Sequence, residues 1–273
     1  MLNHRCWTQV RRGWGSGLAM VWVMGLMGLC GCASRPVSPD ERGMSLRPLY
    51  GIAAATAEEM AALESILPAE AQEARLQSRS GLVYRRVTLD GRHCILFVTG
   101  VSVVNAAMNT QLALDRLPIT HLLLLGAAGG VNPSREAGDV VVPKAWAHHN
   151  EAAYVNPTPG GQGWEVPPGG GMGLPNFGMV FPEAVPVQRL GGGVTVTLPV
   201  FEADRGMVAA ATKVAGDIAT DQPGGSLRVI PGGTGVSGPA FVANREYRAW
   251  LFHAWRAEVV DLESAAVAQV CWA

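Results

Sequence analysis

Charged side chains are scarce in this sequence, and the two signs nearly balance. Asp, Glu, Lys and Arg make up only 16% of the 273 residues, and the formal net charge is -1. Lys and Arg form no continuous block. A nucleic-acid surface or a polybasic membrane surface would need one, so the sequence supports neither. The 48% of hydrophobic residues instead provide for a substantial buried core.

Cysteine is also scarce, with five residues in the chain. Only Cys94 and Cys271 follow residue 32, and they lie in a strand-like and a helix-like apolar run. We therefore expect two core thiols and no disulfide framework.

The first 32 residues have the layout of an export signal. Positively charged residues near the N-terminus, among them Arg5, Arg11 and Arg12, precede residues 14–29, which are uncharged and largely apolar. Residues 29–32, Leu-Cys-Gly-Cys, resemble the bacterial lipobox, which implies cleavage before Cys32 and lipidation of that residue. An uncleaved anchor and an ordinary signal peptide are the alternatives, but the apolar run is short for a spanning helix. The sequence thus predicts a periplasm-facing protein of the bacterial envelope, held to the membrane only by lipid, with residues 33–48 as a flexible tether.

Strand-like and helix-like runs alternate after the tether. Residues 157–193, rich in Gly and Pro, interrupt this pattern, and we interpret them as an insertion loop. The unbroken apolar run at 122–125 is typical of a strand covered on both faces. The alternation predicts a mostly parallel sheet covered on both sides by helices. The predicted strands are residues 50–55, 82–89, 94–98, 122–125, 140–142, 194–200, 227–230 and 258–260, and the predicted helices are residues 58–67, 103–117, 203–215, 245–255 and 264–271.

Sites in such sheets form beyond the carboxyl ends of the strands, and three of these segments carry unusual residues. After the first strand, Glu58 and Glu59 open a helix, where they could serve a ligand or merely complement the helix dipole. Residues 126–130, Gly-Ala-Ala-Gly-Gly, allow close approach of a ligand or simply make a tight turn. They match neither the Walker pattern nor the dinucleotide fingerprint.

The third segment follows the strand at 258–260 and contains Asp261 and Glu263. Two carboxylates at a strand-to-helix junction are costly to bury without a partner. A ligand with hydroxyl donors would supply that partner, and a capped helix start is the alternative.

Taken in order, the motifs from about Tyr50 onward resemble the nucleoside phosphorylase/nucleosidase superfamily, in particular its 5'-methylthioadenosine/S-adenosylhomocysteine nucleosidases. Each motif is weak singly, but their order and spacing are specific. Residues 177–178, 181–182 and 243–245 are most similar to the branch with the plant bark and vegetative storage proteins. The shared motifs are a glycine turn and helix start at 99–107, G-x-A-G-G at 126–130, G-D-I/V-V at 138–141, S-G-x-x-F at 237–241 and D/E-x-E-A/G/S-A from residue 261.

The resemblance implies an α/β fold with a single three-layer domain over residues 49–273, in which helices flank a central mixed, largely parallel sheet. It implies that Glu59 activates water for hydrolysis of the N-glycosidic bond of a purine nucleoside. It also implies that Glu263 holds the ribose 2'- and 3'-hydroxyls and steadies the positive charge that develops on the sugar.

For the rest of the substrate, the resemblance implies that Phe241 stacks on the purine with Val242 beside it, and that Leu262 lies beneath the ribose. The glycine turn, with Ala127 and Gly129, would also contact the substrate. Many nucleosidases carry serine at the position of Ala127, so one polar contact is missing here.

The family's purine-protonating aspartate lies in a Ser-Asp pair beyond the next strand. The sequence ends at Ala273, and we expect the last strand and helix of the family fold to be missing. The chain is then either an incomplete fragment, which the stop within an apolar helix favours, or a degenerate protein. We expect poor or no activity from these 273 residues, and measurable release of adenine would refute that.

Two other functions compete with hydrolysis of a nucleoside. A phosphorylase would need arginines around a phosphate, and Arg135 after the glycine turn is more simply a solvated side chain. A non-catalytic, storage-like protein that binds nucleosides in the envelope is the second alternative. We expect no organic cofactor and no metal, since His148 and His149 would point apart on a strand. Family members commonly self-associate, which implies a homo-oligomer.

Overall fold

The computed structural model describes residues 48–68, 72–77, 81–189, 192–217, 221–222, 225–226 and 228–273. The predictions for the signal peptide, for Cys32 and for residues 33–47 lie outside these ranges. Within them, no helix has both the length and the apolar character that a membrane span requires. The described chain combines helices with sheets that contain parallel strands, which confirms the α/β fold class.

The helices are α1 (Ala57–Ser65), α2 (Val103–Arg116), α3 (Arg205–Asp217), α4 (Arg245–Trp255) and α5 (Ser264–Trp272). The strands are β1 (Tyr50–Ala54), β2 (Gln72–Gln77), β3 (Val83–Leu89), β4 (Arg92–Val98), β5 (His121–Leu125), β6 (Gly129–Gly130), β7 (Val140–Val142), β8 (Ala145–His148), β9 (Ala152–Tyr154), β10 (Val180–Pro182), β11 (Val185–Gln188), β12 (Thr195–Leu198), β13 (Phe201–Glu202), β14 (Asp221–Gln222), β15 (Gly225–Ser226), β16 (Val229–Pro231), β17 (Thr234–Ser237) and β18 (Ala257–Asp261).

Two five-stranded sheets form the framework, and both are mixed. The first has the order β2-β3-β4-β1-β5, with β1 parallel to β4 and β5. The second has the order β13-β8-β17-β18-β6, with β17 parallel to β8 and β18. In the second sheet the parallel strands are central and an antiparallel pair lies at each edge. In the first sheet the antiparallel pairs lie at one end, and the parallel strand β5 forms the other edge. Residues 126–128 lead from β5 in the first sheet to β6 in the second, so the glycine turn lies where the chain passes between them.

Strand β4 is covered on both faces, as the three-layer architecture requires. Ile95 and Phe97 contribute to a buried cluster with Ala113 of α2, whereas Leu96 contributes to another with Met60 of α1. Alternate residues of a strand point to opposite faces, so α1 and α2 lie on opposite sides of the first sheet.

Strand β5 differs from its prediction. Leu122 and Leu124 pack beside a small cluster formed by α2 and α5. Leu123 and Leu125, which alternate with them, remain 38% and 37% exposed. The helices therefore cover only one face of this strand, although its apolar run indicated burial on both.

Residues 157–193 contain more regular structure than the predicted loop. They include β10, which pairs with β9, and β11, which pairs with β12. The high Gly and Pro content concealed these short strands. Pro182 is tolerated because β10 belongs to a two-stranded sheet, where one side of the strand needs no ladder donor.

The two cysteines of the described chain are both free thiols, but they differ in exposure. Cys94 is buried in the first sheet, as predicted. Cys271 is exposed, contrary to its prediction as a core thiol, because it lies in the last turn of α5, one turn beyond Val267, which packs with α2.

Gly235 of β17 provides a test of the packing in the second sheet. A Cβ atom at this position would lie 2.4 Å from the indole of Trp146 on the neighbouring strand β8. We expect Gly235→Ala to lower the free energy of unfolding by about 1–3 kcal/mol, because the bulky ring must shift. Gly216→Ala is the control, since no atom lies within 4 Å of its added Cβ on α3. Denaturant unfolding that showed the same change for both variants would contradict this account.

Candidate active site

The carboxylate of Glu59 is held by three backbone N–H groups. Its Oε2 accepts from Ala55 at 3.0 Å and from Thr56 at 3.1 Å, and its Oε1 accepts from Ala127 at 2.9 Å. Thr56 in turn caps α1 by accepting from the N–H of Glu59 at 3.1 Å. This reciprocal pair is a capping box, and its Thr-x-x-Glu pattern is visible in the sequence at residues 56–59. Glu59 is therefore both a helix cap and a link to the glycine turn.

The glycine turn approaches Glu59 closely. A Cβ atom at Gly126 would lie 3.3 Å from Glu59 Oε1. Gly129 passes equally close to β18, since its Cβ would lie 3.3 Å from a methyl group of Val260. The small residues of this turn thus let it lie between the two carboxylate-bearing segments.

Glu263 lies at the start of α5 with only 7% of its surface exposed. Its Oε1 accepts from the backbone N–H of Ser102 at 2.8 Å, and its Oε2 accepts from Leu262 at 3.3 Å. Ser102 has φ 81° and ψ 151°, a conformation that side-chain-bearing residues rarely adopt. The turn after β4 is therefore strained where it meets Glu263.

Glu59 and Glu263 share one electrostatic environment. Burial raises the pKa of Glu263, and the nearby charges of Asp261 and Glu59 raise it further, while the N–H donors of Ser102 and Leu262 oppose this. The charge of Glu59, 204 residues before Glu263 in the chain (263 minus 59), thus raises the pKa of that carboxyl group, although it is the smallest of these influences.

The Asp261 carboxylate, two residues before Glu263, links the surrounding segments by hydrogen bonds. It accepts from the hydroxyls of Ser237 and Ser264 and from the backbone N–H groups of Glu263 and Ser264. Ser237 also accepts from Ala265 at 2.8 Å. Burial raises the pKa of Asp261, and the four donors counteract that rise. The network connects β17, β18 and α5, and it was not predicted, because Ser237 and Asp261 are distant in sequence.

The remaining predicted site residues differ in exposure and in the contacts that they make. Leu262 is half-buried and adjoins Glu263. Val242 packs against the core of the second sheet. Phe241 is 87% exposed on the loop that follows Ser237. Ala127 is exposed, and its N–H is already donated to Glu59.

Arg135 is not a solvated side chain, contrary to its interpretation from the sequence. Its Nε lies 2.9 Å from Glu258 Oε2, and both side chains are 17% exposed. Asn132 donates to the same oxygen at 2.9 Å. The charge of Arg135 is therefore matched by an acidic partner on β18.

His148 and His149 have different neighbours, in agreement with their predicted divergence. The His148 ring packs at 5.9 Å on Phe201, and the His149 ring packs at 5.6 Å on Tyr247. In the part of the chain that the structure describes, no three His, Cys, Asp or Glu side chains are grouped to hold a metal ion.

Comparison with known proteins identifies the class. The sequence profile of the Phosphorylase superfamily matches residues 49–273, so this chain belongs to that superfamily. Among solved structures, the fold is similar to futalosine hydrolase of Helicobacter pylori, with 18% identity, a TM-score of 0.58 and coverage of 83% of this chain and 82% of that one. It is similar also to a nucleosidase from Colwellia psychrerythraea in complex with adenine, with 22% identity, a TM-score of 0.58 and coverage of 83% and 77%.

Within the superfamily, the chain is similar in sequence to 5'-methylthioadenosine/S-adenosylhomocysteine nucleosidases. The protein from Bacillus thuringiensis is 27% identical over 207 residues, which cover 76% of this chain and 73% of that protein. The protein from Anoxybacillus flavithermus is 40% identical over 63 residues, which span 23% of this chain and 27% of that protein.

The electrostatic coupling of the two glutamates can be measured. We expect Glu59→Gln to lower the pKa of Glu263, because the substitution removes a negative charge that disfavours ionisation of its neighbour. Glu58→Gln is the matched control, since Glu58 is exposed in the same turn of α1. Carboxyl-carbon NMR titration follows Glu263 directly. An unchanged Glu263 titration in Glu59→Gln would show that the two groups do not share a site.

Proposed function

We propose that this chain binds a purine nucleoside between Glu59 and Glu263, and that the chemistry of the site is hydrolysis of the N-glycosidic bond. The observation that carries the proposal is that the glycine turn donates to Glu59 at one end and packs at the other against Val260, three residues before Glu263. The related nucleosidases, named for nucleoside substrates, support the choice of ligand. The substrate class is therefore a purine nucleoside or thionucleoside.

Glu263 has the properties needed to hold two vicinal hydroxyls. One oxygen is fixed by Ser102, and the contact of the other with Leu262 is long at 3.3 Å, which leaves room for stronger donors. The ribose hydroxyls would satisfy a carboxylate whose ionisation burial disfavours. Its negative charge would also stabilise the cationic sugar of the transition state.

Glu59 is suited to orient and activate a water molecule. Its three backbone donors leave the side chain a single orientation. Each carboxylate oxygen has two lone-pair directions, so Oε1 can accept from a water as well as from Ala127. A fixed carboxylate beside the sugar is the geometry that general base catalysis requires.

Hydrolysis is favoured over phosphorolysis by the state of Arg135. An arginine that binds phosphate must offer its donors to the anion. Arg135 is instead ion-paired with Glu258, so its positive charge is already balanced by a carboxylate. Phosphate is therefore not expected to accelerate release of the base.

We propose that turnover is slow. Asp261 is a buried carboxyl group of raised pKa near Glu263, but serine hydroxyls and backbone N–H groups surround both of its oxygens. Among the described residues we therefore identify no side chain as the acid that protonates the leaving purine. The non-catalytic alternative is favoured by Ala127, which has no hydroxyl and whose N–H is already used.

Nucleoside binding is the direct test. We expect Glu263→Gln to weaken the binding of 5'-methylthioadenosine about ten- to a hundredfold, which is the effect of losing charge-assisted hydrogen bonds to two hydroxyls. Glu58→Gln should bind like the unmodified chain. Titration calorimetry measures both. Absence of binding to the unmodified chain, or equal binding by Glu263→Gln, would refute the proposal.

Release of adenine separates the three functions. We expect no measurable release of adenine under multiple-turnover conditions. In single-turnover reactions with the chain in excess, release should be slow, independent of phosphate and about a hundredfold slower still in Glu59→Gln, as for loss of a general base. Chromatography of the free base follows the reaction. Acceleration by phosphate would indicate a phosphorylase, and binding without any release would indicate the storage-like protein.

We also propose that the chain is a lipid-anchored envelope protein. The apolar run and the lipobox-like residues 29–32 support this. We expect bacteria that express the full chain to incorporate labelled palmitate into it, and Cys32→Ser to abolish the label. Cys30→Ser provides the neighbouring control, and retention of label in Cys32→Ser would exclude this anchor.

A further inference from the structure

Residues 175–177, within the Gly/Pro-rich segment, are attached to one face of α4. The Phe177 ring lies edge-on to Tyr247 at 5.1 Å and tilted against Trp250 at 5.7 Å. The Trp250 indole N–H donates to the carbonyl of Pro175 at 2.7 Å. Aromatic contacts and a half-buried hydrogen bond thus fix this part of the segment on the helix.

Tyr247 connects the attached residues 175–177 to His149. Its hydroxyl lies 2.9 Å from His149 Nδ1, and the two rings are 5.6 Å apart. His149 is completely buried. Burial lowers the pKa of His149 to about 4 and raises the pKa of Tyr247 to about 12, so both groups are neutral near pH 7 and the contact is a neutral hydrogen bond.

His149 and Asn150 lie directly against the backbone of Gly238. A Cβ atom at Gly238 would lie 2.6 Å from His149 Nε2 and 2.1 Å from Asn150 Oδ1. Gly238 begins the loop of residues 238–244, which joins β17 to α4 and carries Phe241. The side chains of residues 149 and 150 therefore determine where this loop leaves the sheet.

Tyr247 also holds the other end of the same loop. Asn244, the last loop residue, caps α4 by accepting from the Tyr247 N–H at 2.7 Å. Tyr247 thus contacts Asn244 directly, and it is connected to Gly238 indirectly, through His149. Phe241 lies between these two fixed ends and is itself 87% exposed, so the position of its ring depends on them.

We propose that Phe177, Tyr247 and His149 are positioning residues for the purine base: they couple the 157–193 segment to loop 238–244 and so place Phe241 for stacking. The role in base binding rests on the proposed function, whereas the coupling itself does not. The Gly/Pro-rich segment then contributes, through residues 175–177, to the affinity for the purine base.

The experiment uses the full chain labelled with 4-fluorophenylalanine. The six phenylalanines give six 19F resonances, and Phe241→Leu and Phe177→Leu assign two of them. We expect Tyr247→Phe, which retains the ring and removes only the hydroxyl, to shift or broaden the Phe241 resonance. Phe177→Leu should do the same. Tyr50→Phe is the matched control, since Tyr50 lies on β1 of the first sheet and its ring packs on His121.

Adenine titration provides the second readout. We expect Tyr247→Phe to raise the Kd for adenine about three- to tenfold, the range expected from loss of one neutral hydrogen bond, with no change for Tyr50→Phe. A lower unfolding midpoint with an unchanged Phe241 resonance would overturn the proposal, because the residues would then be merely structural. If the unmodified chain does not bind adenine, the proposed function fails, and the 19F spectra alone decide whether the coupling exists.

Discussion

The three hydrogen bonds that the Glu59 carboxylate accepts connect the parts of the candidate site. Two of the donors, from Ala55 and Thr56, belong to the turn that follows β1, and the third, from Ala127, belongs to the turn between the two sheets. A buried or half-buried carboxylate requires such donors, since an unpaired charge is costly to remove from water. One side chain therefore satisfies the start of α1 and also holds the glycine turn against it. The other residues of the candidate site are arranged around this contact between the start of α1 and the glycine turn.

The second carboxylate region satisfies the same requirement with more partners. Asp261 is enclosed by Ser237 and Ser264, and this leaves Glu263 as the acidic group with spare acceptor capacity. Buried polar networks of this kind stabilise a fold only when every member is paired. Asp261 and Glu263 lie at the end of β18, where their desolvation is offset by N–H and O–H donors. A ligand rich in hydroxyls complements such a surface better than an anion would.

Much of the fold follows from periodicity, and the unpredicted parts depend on contacts between distant residues. The predicted helix at 245–255 matches α4, because apolar spacing and the cap at Asn244 are local signals. The division of the strands into two sheets was not predicted, since no local pattern records which strand edges meet. The partnership of Arg135 with Glu258 was missed for the same reason. Glu59 and Glu263 could be named from sequence resemblance. The residues that pack at the two ends of loop 238–244, which carries Phe241, became visible only through tertiary contacts.

The backbone conformation of Ser102 has a consequence for ligand binding. Its φ of 81° is energetically unfavourable, and its N–H is directed at Glu263 in that conformation. In the proposed complex, ribose hydroxyls bind Glu263 beside this N–H, so binding requires that Ser102 keep its unfavourable conformation. The conformational free energy of this one residue then subtracts from the affinity for the ligand, although Ser102 acts only through Glu263.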